Sequence, residues 1–113
     1  MTFTESIYRK VSNINSVSTD DFSIDWLGQS RSYYSSLKAR QIEASNAALV
    51  KLMNKLTEQK QVMEIGNKHP HLQMVARKYD ALAKEVAVEV ATRATKQNLG
   101  NIQVRGMLMK AIT

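Results

Sequence analysis

Between Ser45 and Ile65, apolar side chains return at Leu49, Leu52, Met53, Leu56 and Met63, and this three-and-four spacing lays a single stripe along a helix capped by Ser45. Gly66 is placed to close that helix, and Pro70 suits the first turn of the next. From His71 to about Gln97 nothing interrupts a helix, and Leu72, Val75, Tyr79, Leu82 and Val86 alternate by three and four like a helix–helix seam. About 27 residues at ~1.5 Å each make a rod of roughly 40 Å. The N-terminal half is broken into shorter pieces. Thr4 is a candidate cap for a first helix carrying Ile7, Tyr8, Val11 and Ile14 on one face. Ser18 or Thr19, followed by Asp20 and Asp21, reads as a second helix start, with Phe22, Trp26 and Leu27 on its apolar side and Gly28 at its end. Ser30 is the expected N-cap of a third helix, 31–39, with Tyr34 and Leu37 turned inward and Tyr33 at the rim. Beyond Asn98 and Gly100, the positions Ile102, Val104, Met107, Leu108 and Ile112 suggest a short final helix or a docking tail.

The pattern predicts an all-α fold: a small helical domain with an N-terminal helix-turn-helix and a long C-terminal helix. Four glycines and a single proline in 113 residues agree, because turn-rich sheet would need more of both. The length suits one domain. It divides into a helix-turn-helix unit over 1–66 and a C-terminal helical extension over 67–113 for packing or dimerisation, or else runs as one continuous domain.

Charge adds a direction to this picture. The net charge is +6, yet residues 1–30 hold two basic and four acidic side chains, whereas residues 31–60 hold six and two, and residues 61–113 eight and four. Positive charge thus begins abruptly at Arg31, and such a surface attracts phosphate polyanions or acidic proteins. Cysteine is absent, which removes disulfides and thiol chemistry and fits a reducing, cytoplasmic setting. No apolar run approaches the ~20 residues that span a bilayer, and MTFTESIYRK lacks the features of a secretory signal. His69 and His71 flank Pro70 without a third metal ligand at useful spacing. Helix-start electrostatics account for Asp20 and Asp21, and no nucleophile or phosphate loop accompanies them or Asp25. Neither an enzyme nor a cofactor is expected.

Two short helices joined at a glycine, the second opening on serine, make the pattern of a helix-turn-helix. The stretch GQSRSYYSSLKARQIEASNAALVKLMNKL resembles the second half of the phage-repressor, XRE-like helix-turn-helix family. Gly28, Ser30, Ser35 and Leu37 fall without a gap on the first half of that family's pattern, and Ser45, Leu49, Leu52 and Leu56 on the second. Three positions depart from it: the glycine usual after the recognition helix is missing from K-A-R-Q, the proline before the next serine is Ala44, and Ser23 stands where leucine is preferred. The longer pattern F-S-x-x-W-L-G-x-S-x-S-Y-Y also resembles a group of small, functionally uncharacterised bacterial proteins sharing a tyrosine where Tyr8 stands. The first resemblance implies that helix 31–39 enters the major groove of double-stranded DNA, with the preceding helix crossing the backbone. By position, Gln29, Ser30, Arg31, Ser32, Ser35 and Ser36 would then face base edges or flanking phosphates, and Lys38, Arg40, Lys51 and Lys55 would meet phosphate. The implied role is sequence-specific DNA binding, as in a repressor-like transcriptional regulator.

The stripe Leu72, Val75, Tyr79, Leu82 and Val86 leaves two outcomes open. It can fold back on the same chain, or it can pair two copies into a homodimer that reads two half-sites about 34 Å apart. The homodimer is the expectation taken here. An alternative function uses the same stripe as a helical protein–protein adaptor with no nucleic-acid role.

Overall fold

The computed structural model describes residues 1–65 and 69–98, and among them every regular element is helical. The order is α1 (Phe3–Ile14), α2 (Thr19–Asp21), a π turn that continues α2 directly (Phe22–Trp26), α3 (Tyr33–Arg40), α4 (Asn46–Glu64) and α5 (Pro70–Asn98). Gly66, expected to end α4, and the apolar positions from Ile102 to Ile112 lie outside the described residues.

The long helices form an antiparallel hairpin. Arg93 reaches Asn46 near the start of α4, while Lys60 reaches Asp80, so residue numbers fall along α5 as they rise along α4. The stretch from Asn46 to Lys60 corresponds to roughly 20 Å of helix axis. Leu49, Leu52 and Leu56 of α4 are buried together with Tyr79, Leu82, Ala83 and Val86 of α5. Met53, Met63 and Val75 pack at the margin of the same cluster. Tyr79, Leu82 and Val86 are at most 6% exposed, so three of the five positions assigned to a dimer seam are consumed inside the chain. Leu72 and Val75 remain half-buried. A second copy cannot reach Tyr79, Leu82 and Val86 without opening the core, because α4 already supplies their apolar partner.

The short N-terminal helices close the other side of that core. Ile7 and Val11 of α1, Phe22, Trp26 and Leu27 at the π turn, and Tyr34 and Leu37 of α3 belong to the same buried cluster. Its centre is aromatic. Tyr8 meets Phe22 and Tyr34 at ring-centroid distances of 4.9 and 4.7 Å, and Trp26 joins Phe22 to Tyr79 of α5, 6.4 Å from each. Trp26 is therefore an anchor between helices, and Tyr34 is turned inward as its spacing predicted. Burial, together with the nearby Glu5 charge, pushes the Tyr34 hydroxyl up to about 12, so it stays neutral near physiological pH.

Local capping differs from expectation in two places. Thr2, not Thr4, caps α1 by accepting a hydrogen bond from Glu5 N at 3.1 Å. Thr4 is instead buried and bonded to the connection between α3 and α4. The third helix begins at Tyr33 and ends at Arg40, rather than covering 31–39, and Ser32 at its N-cap makes no side-chain capping bond. The hydroxyl that serves it comes from the preceding helix: Ser23 Oγ accepts from Tyr34 N at 2.9 Å and donates to Thr19 O at 2.9 Å. Leucine at this position would leave Tyr34 N without its partner, which explains the departure at Ser23. Ser18 and Ser45 cap α2 and α4 as their positions predicted.

Candidate nucleic-acid interface

The face of α3 opposite Tyr34 and Leu37 is made of small side chains. Ser32, Ser35, Ser36 and Ala39 are all exposed and follow the three-and-four spacing that puts residues on one side of a helix. Arg31, Lys38 and Arg40 border this face and are exposed. Lys51 of α4 adds a fourth cation. Its stem runs along the turn at Gly28, where an added Cβ would stand 3.0 Å from Lys51 Cγ. Gly28 has φ +65°, a left-handed conformation that glycine adopts cheaply, so it serves both the turn and the close approach of Lys51.

Among the described residues, no carboxylate lies within 4 Å of Arg31, Lys38, Arg40 or Lys51. These cations are therefore balanced by solvent ions, which a polyanion can displace. Lys55 is different. It sits 5.8 Å over the Trp26 ring and 3.8 Å from Glu58, half-buried, so its charge is already engaged. Gln29 is half-buried with its backbone N–H bound to Ser23 O, while Ser30 is exposed. The turn carrying these residues spans six positions, 27–32, longer than the three or four of the usual motif. Two N–H groups of the first turn of α3 are spent internally, Tyr33 on Ser30 O and Tyr34 on Ser23 Oγ. The helix end thus offers fewer free donors to phosphate than an uncapped start would.

The C-terminal end of α3 is held by residues that the apolar pattern did not single out. Gln41 takes φ 52°, the left-handed conformation of the missing glycine, and its amide donates to Glu5 Oε1 at 2.7 Å and Lys38 O at 2.8 Å. Ala44, where the resemblance would put proline, uses the N–H that proline lacks, donating to Thr4 Oγ1 at 3.1 Å. Its carbonyl accepts from Arg93 Nη1 at 2.6 Å. Glu43 closes the arrangement by accepting from Phe3 N, Thr4 N and Thr4 Oγ1 at 2.8 to 3.0 Å. Burial pushes the Glu43 carboxyl up, but these hydrogen bonds and the Arg93 charge outweigh it and hold it below the ordinary carboxylate range.

A family model described as "Family of unknown function (DUF6626)" matches residues 4–99. The chain belongs to that family. No curated protein and no solved structure matches the chain. The span matched to DUF6626 takes in α3 with its cations and also α1 and α5, which supply Thr4, Glu5 and Arg93 to the connection at residues 41–45. Among the described residues, no group of three or more His, Cys, Asp or Glu could hold a metal ion, and no helix is long and apolar enough to cross a membrane.

Proposed function

We propose that this protein binds double-stranded DNA as a transcriptional regulator of the repressor type, with α3 lying in the major groove. One observation carries the reading. The outward face of α3 combines four small residues with a border of cations that have no acid partner among the described residues. A major groove about 12 Å wide accepts a helix, and short serine side chains let the backbone approach the base edges. Arg31 can pair with guanine in two-pronged fashion, Gln29 with adenine, and the hydroxyls of Ser30, Ser32, Ser35 and Ser36 can take either hydrogen-bonding role. Lys38, Arg40 and Lys51 meet phosphate, which sets affinity and register rather than sequence. Lys55 becomes a secondary contact, since it must leave Trp26 and Glu58 to serve.

A homodimer belongs to this proposal because one short helix reads too few base pairs for selectivity. Its contact must lie outside Tyr79, Leu82 and Val86, which the chain buries itself. In the adaptor reading, the part of that stripe open to a partner is its half-buried end at Leu72 and Val75. Selection of bound sequences from a random duplex library at intermediate salt tests the proposal. A recovered consensus, lost on Arg31→Ala, is the expected result. Recovery of unenriched sequence would remove sequence-specific reading.

A further inference from the structure

We infer that Arg93, near the far end of α5, is a positioning residue for the α3 face; this rests on the DNA-binding reading above. The recognition helix is weakly self-supporting. It has eight residues, the first four all being tyrosines or serines, and it contributes only Tyr34 and Leu37 to the buried core. Its orientation is therefore decided at its two ends. Ser23 holds the first turn, and the connection at residues 41–45 holds the last.

That connection is gripped from both ends of the chain. From α1, Glu5 binds the side chain of Gln41 and Thr4 binds the backbone of Ala44. From α5, Arg93 Nη1 donates to both Ala44 O at 2.6 Å and Asn46 Oδ1 at 3.2 Å, while Nε donates to Glu89 Oε1 at 3.3 Å and so orients the group. The rigid guanidinium plane, fixed at Nε by Glu89, aims Nη1 at both acceptors. A lysine ammonium has a single nitrogen and cannot be oriented by Glu89 and hold Ala44 and Asn46 in the same way. Two of the departures from the helix-turn-helix pattern fall inside this grip: Gln41 adopts the conformation usual for glycine, and Ala44 stands in place of proline.

A second observation separates positioning from simple support. Arg93 Nη2 is enclosed and has no hydrogen-bond partner. A buried donor left unsatisfied lowers stability. An apolar side chain would avoid that cost but leave the buried Ala44 carbonyl, Asn46 Oδ1 and Glu89 Oε1 without their donor. The guanidinium is thus held in place by what it links rather than by what it fills. Its geometry is well explained as a rigid link from the end of α5 to the end of α3.

Arg93→Met retains the stem and removes the fork, so it tests the link with the full chain and two duplexes, one selected for tight binding and one random. Affinity for the random duplex should stay within about twofold, since the phosphate-contacting cations remain, while preference for the selected duplex falls about tenfold. Asn46→Ala, which removes a single acceptor, should shift the same ratio by about threefold in the same direction, and it carries the test should Arg93→Met fail to fold. Arg93→Lys should restore charge but not the ratio. Wild-type selectivity in folded Arg93→Met overturns the positioning role alone. A wild-type protein with no affinity for any duplex overturns the α3 reading and this role with it.

Discussion

Around α5, Lys60 and Lys84 share Asp80, Lys10 faces Glu85 and Glu89 holds Arg93, whereas on α3 the cations Arg31, Lys38 and Arg40 stand without acid partners among the described residues. The two regions hold equal excesses of positive charge by sequence, four in residues 31–60 and four in residues 61–113. They differ in how that charge is spent. On α5 the acids Asp80, Glu85 and Glu89 pair with Lys84, Arg93 and the incoming Lys60 and Lys10, while Arg77, Lys78 and Lys96 have no acid partner among the described residues. Exposed pairs of this kind add little to stability. On α3, Arg31, Lys38 and Arg40 have no acid neighbour among the described residues and are left to solvent ions. Net charge alone does not separate the two surfaces; what sets α3 apart is that the helix itself carries no acid, whereas α5 interleaves Asp80, Glu85 and Glu89 with its cations.

The comparison presumes that both regions stand on one core, and Leu52→Ala tests that first. Leu52 is fully buried in the cluster that joins α4 to both halves, so its truncation should cost about 2–5 kcal/mol. Urea unfolding followed by Trp26 fluorescence and by helical circular dichroism should give coincident transitions; separated ones would break the molecule into two units. Arg31→Ala sharpens the functional contrast. It should weaken binding to a preferred duplex by about 1–3 kcal/mol while leaving unfolding within about 0.5 kcal/mol of wild type. Gly28→Ala should cost about 1–2 kcal/mol in thermal unfolding, because the residue is left-handed and Lys51 must give way.

Smaller effects concern charge balance. The folded pKa of Glu43 is depressed, so its contribution to stability is fully present above the ordinary carboxylate range and is lost as pH falls through its folded value. Unfolding midpoints measured down an acid pH series should therefore decline less steeply in Glu43→Gln than in wild type. Lys84→Ala, which removes a locally balanced cation, should leave duplex affinity near wild type. A loss equal to that of Arg31→Ala would erase the distinction between the two regions.

Much of this architecture was legible in the apolar spacing. The stripe Leu49, Leu52 and Leu56 and the stripe Tyr79, Leu82 and Val86 were both visible, but periodicity states only that a face needs an apolar partner. It does not say whether that partner is α4 of the same chain or α5 of another. Caps at Ser18 and Ser45 were readable because their partners lie within three residues. The cap on α3 was not, since Ser23 and Tyr34 meet across a turn and the serine sits where an apolar residue was expected. Arg93 was invisible for the same reason: its acceptors lie 47 and 49 residues away. The signal that could have exposed the clamp was present as an anomaly. Glutamine at a glycine position and alanine at a proline position both ask for compensating hydrogen bonds, and Gln41 and Ala44 obtain them from α1 and α5.

The most direct measurement is the salt dependence of duplex affinity. With Lys38, Arg40 and Lys51 of both copies of the homodimer at phosphate, about six contacts, log affinity should fall against log salt with a slope near −5. Lys38→Ala, which removes one contact from each copy, should make that slope shallower by about two. A slope near zero, or one that Lys38→Ala and Arg40→Ala leave unchanged, would contradict the assignment of α3 as the face that meets DNA.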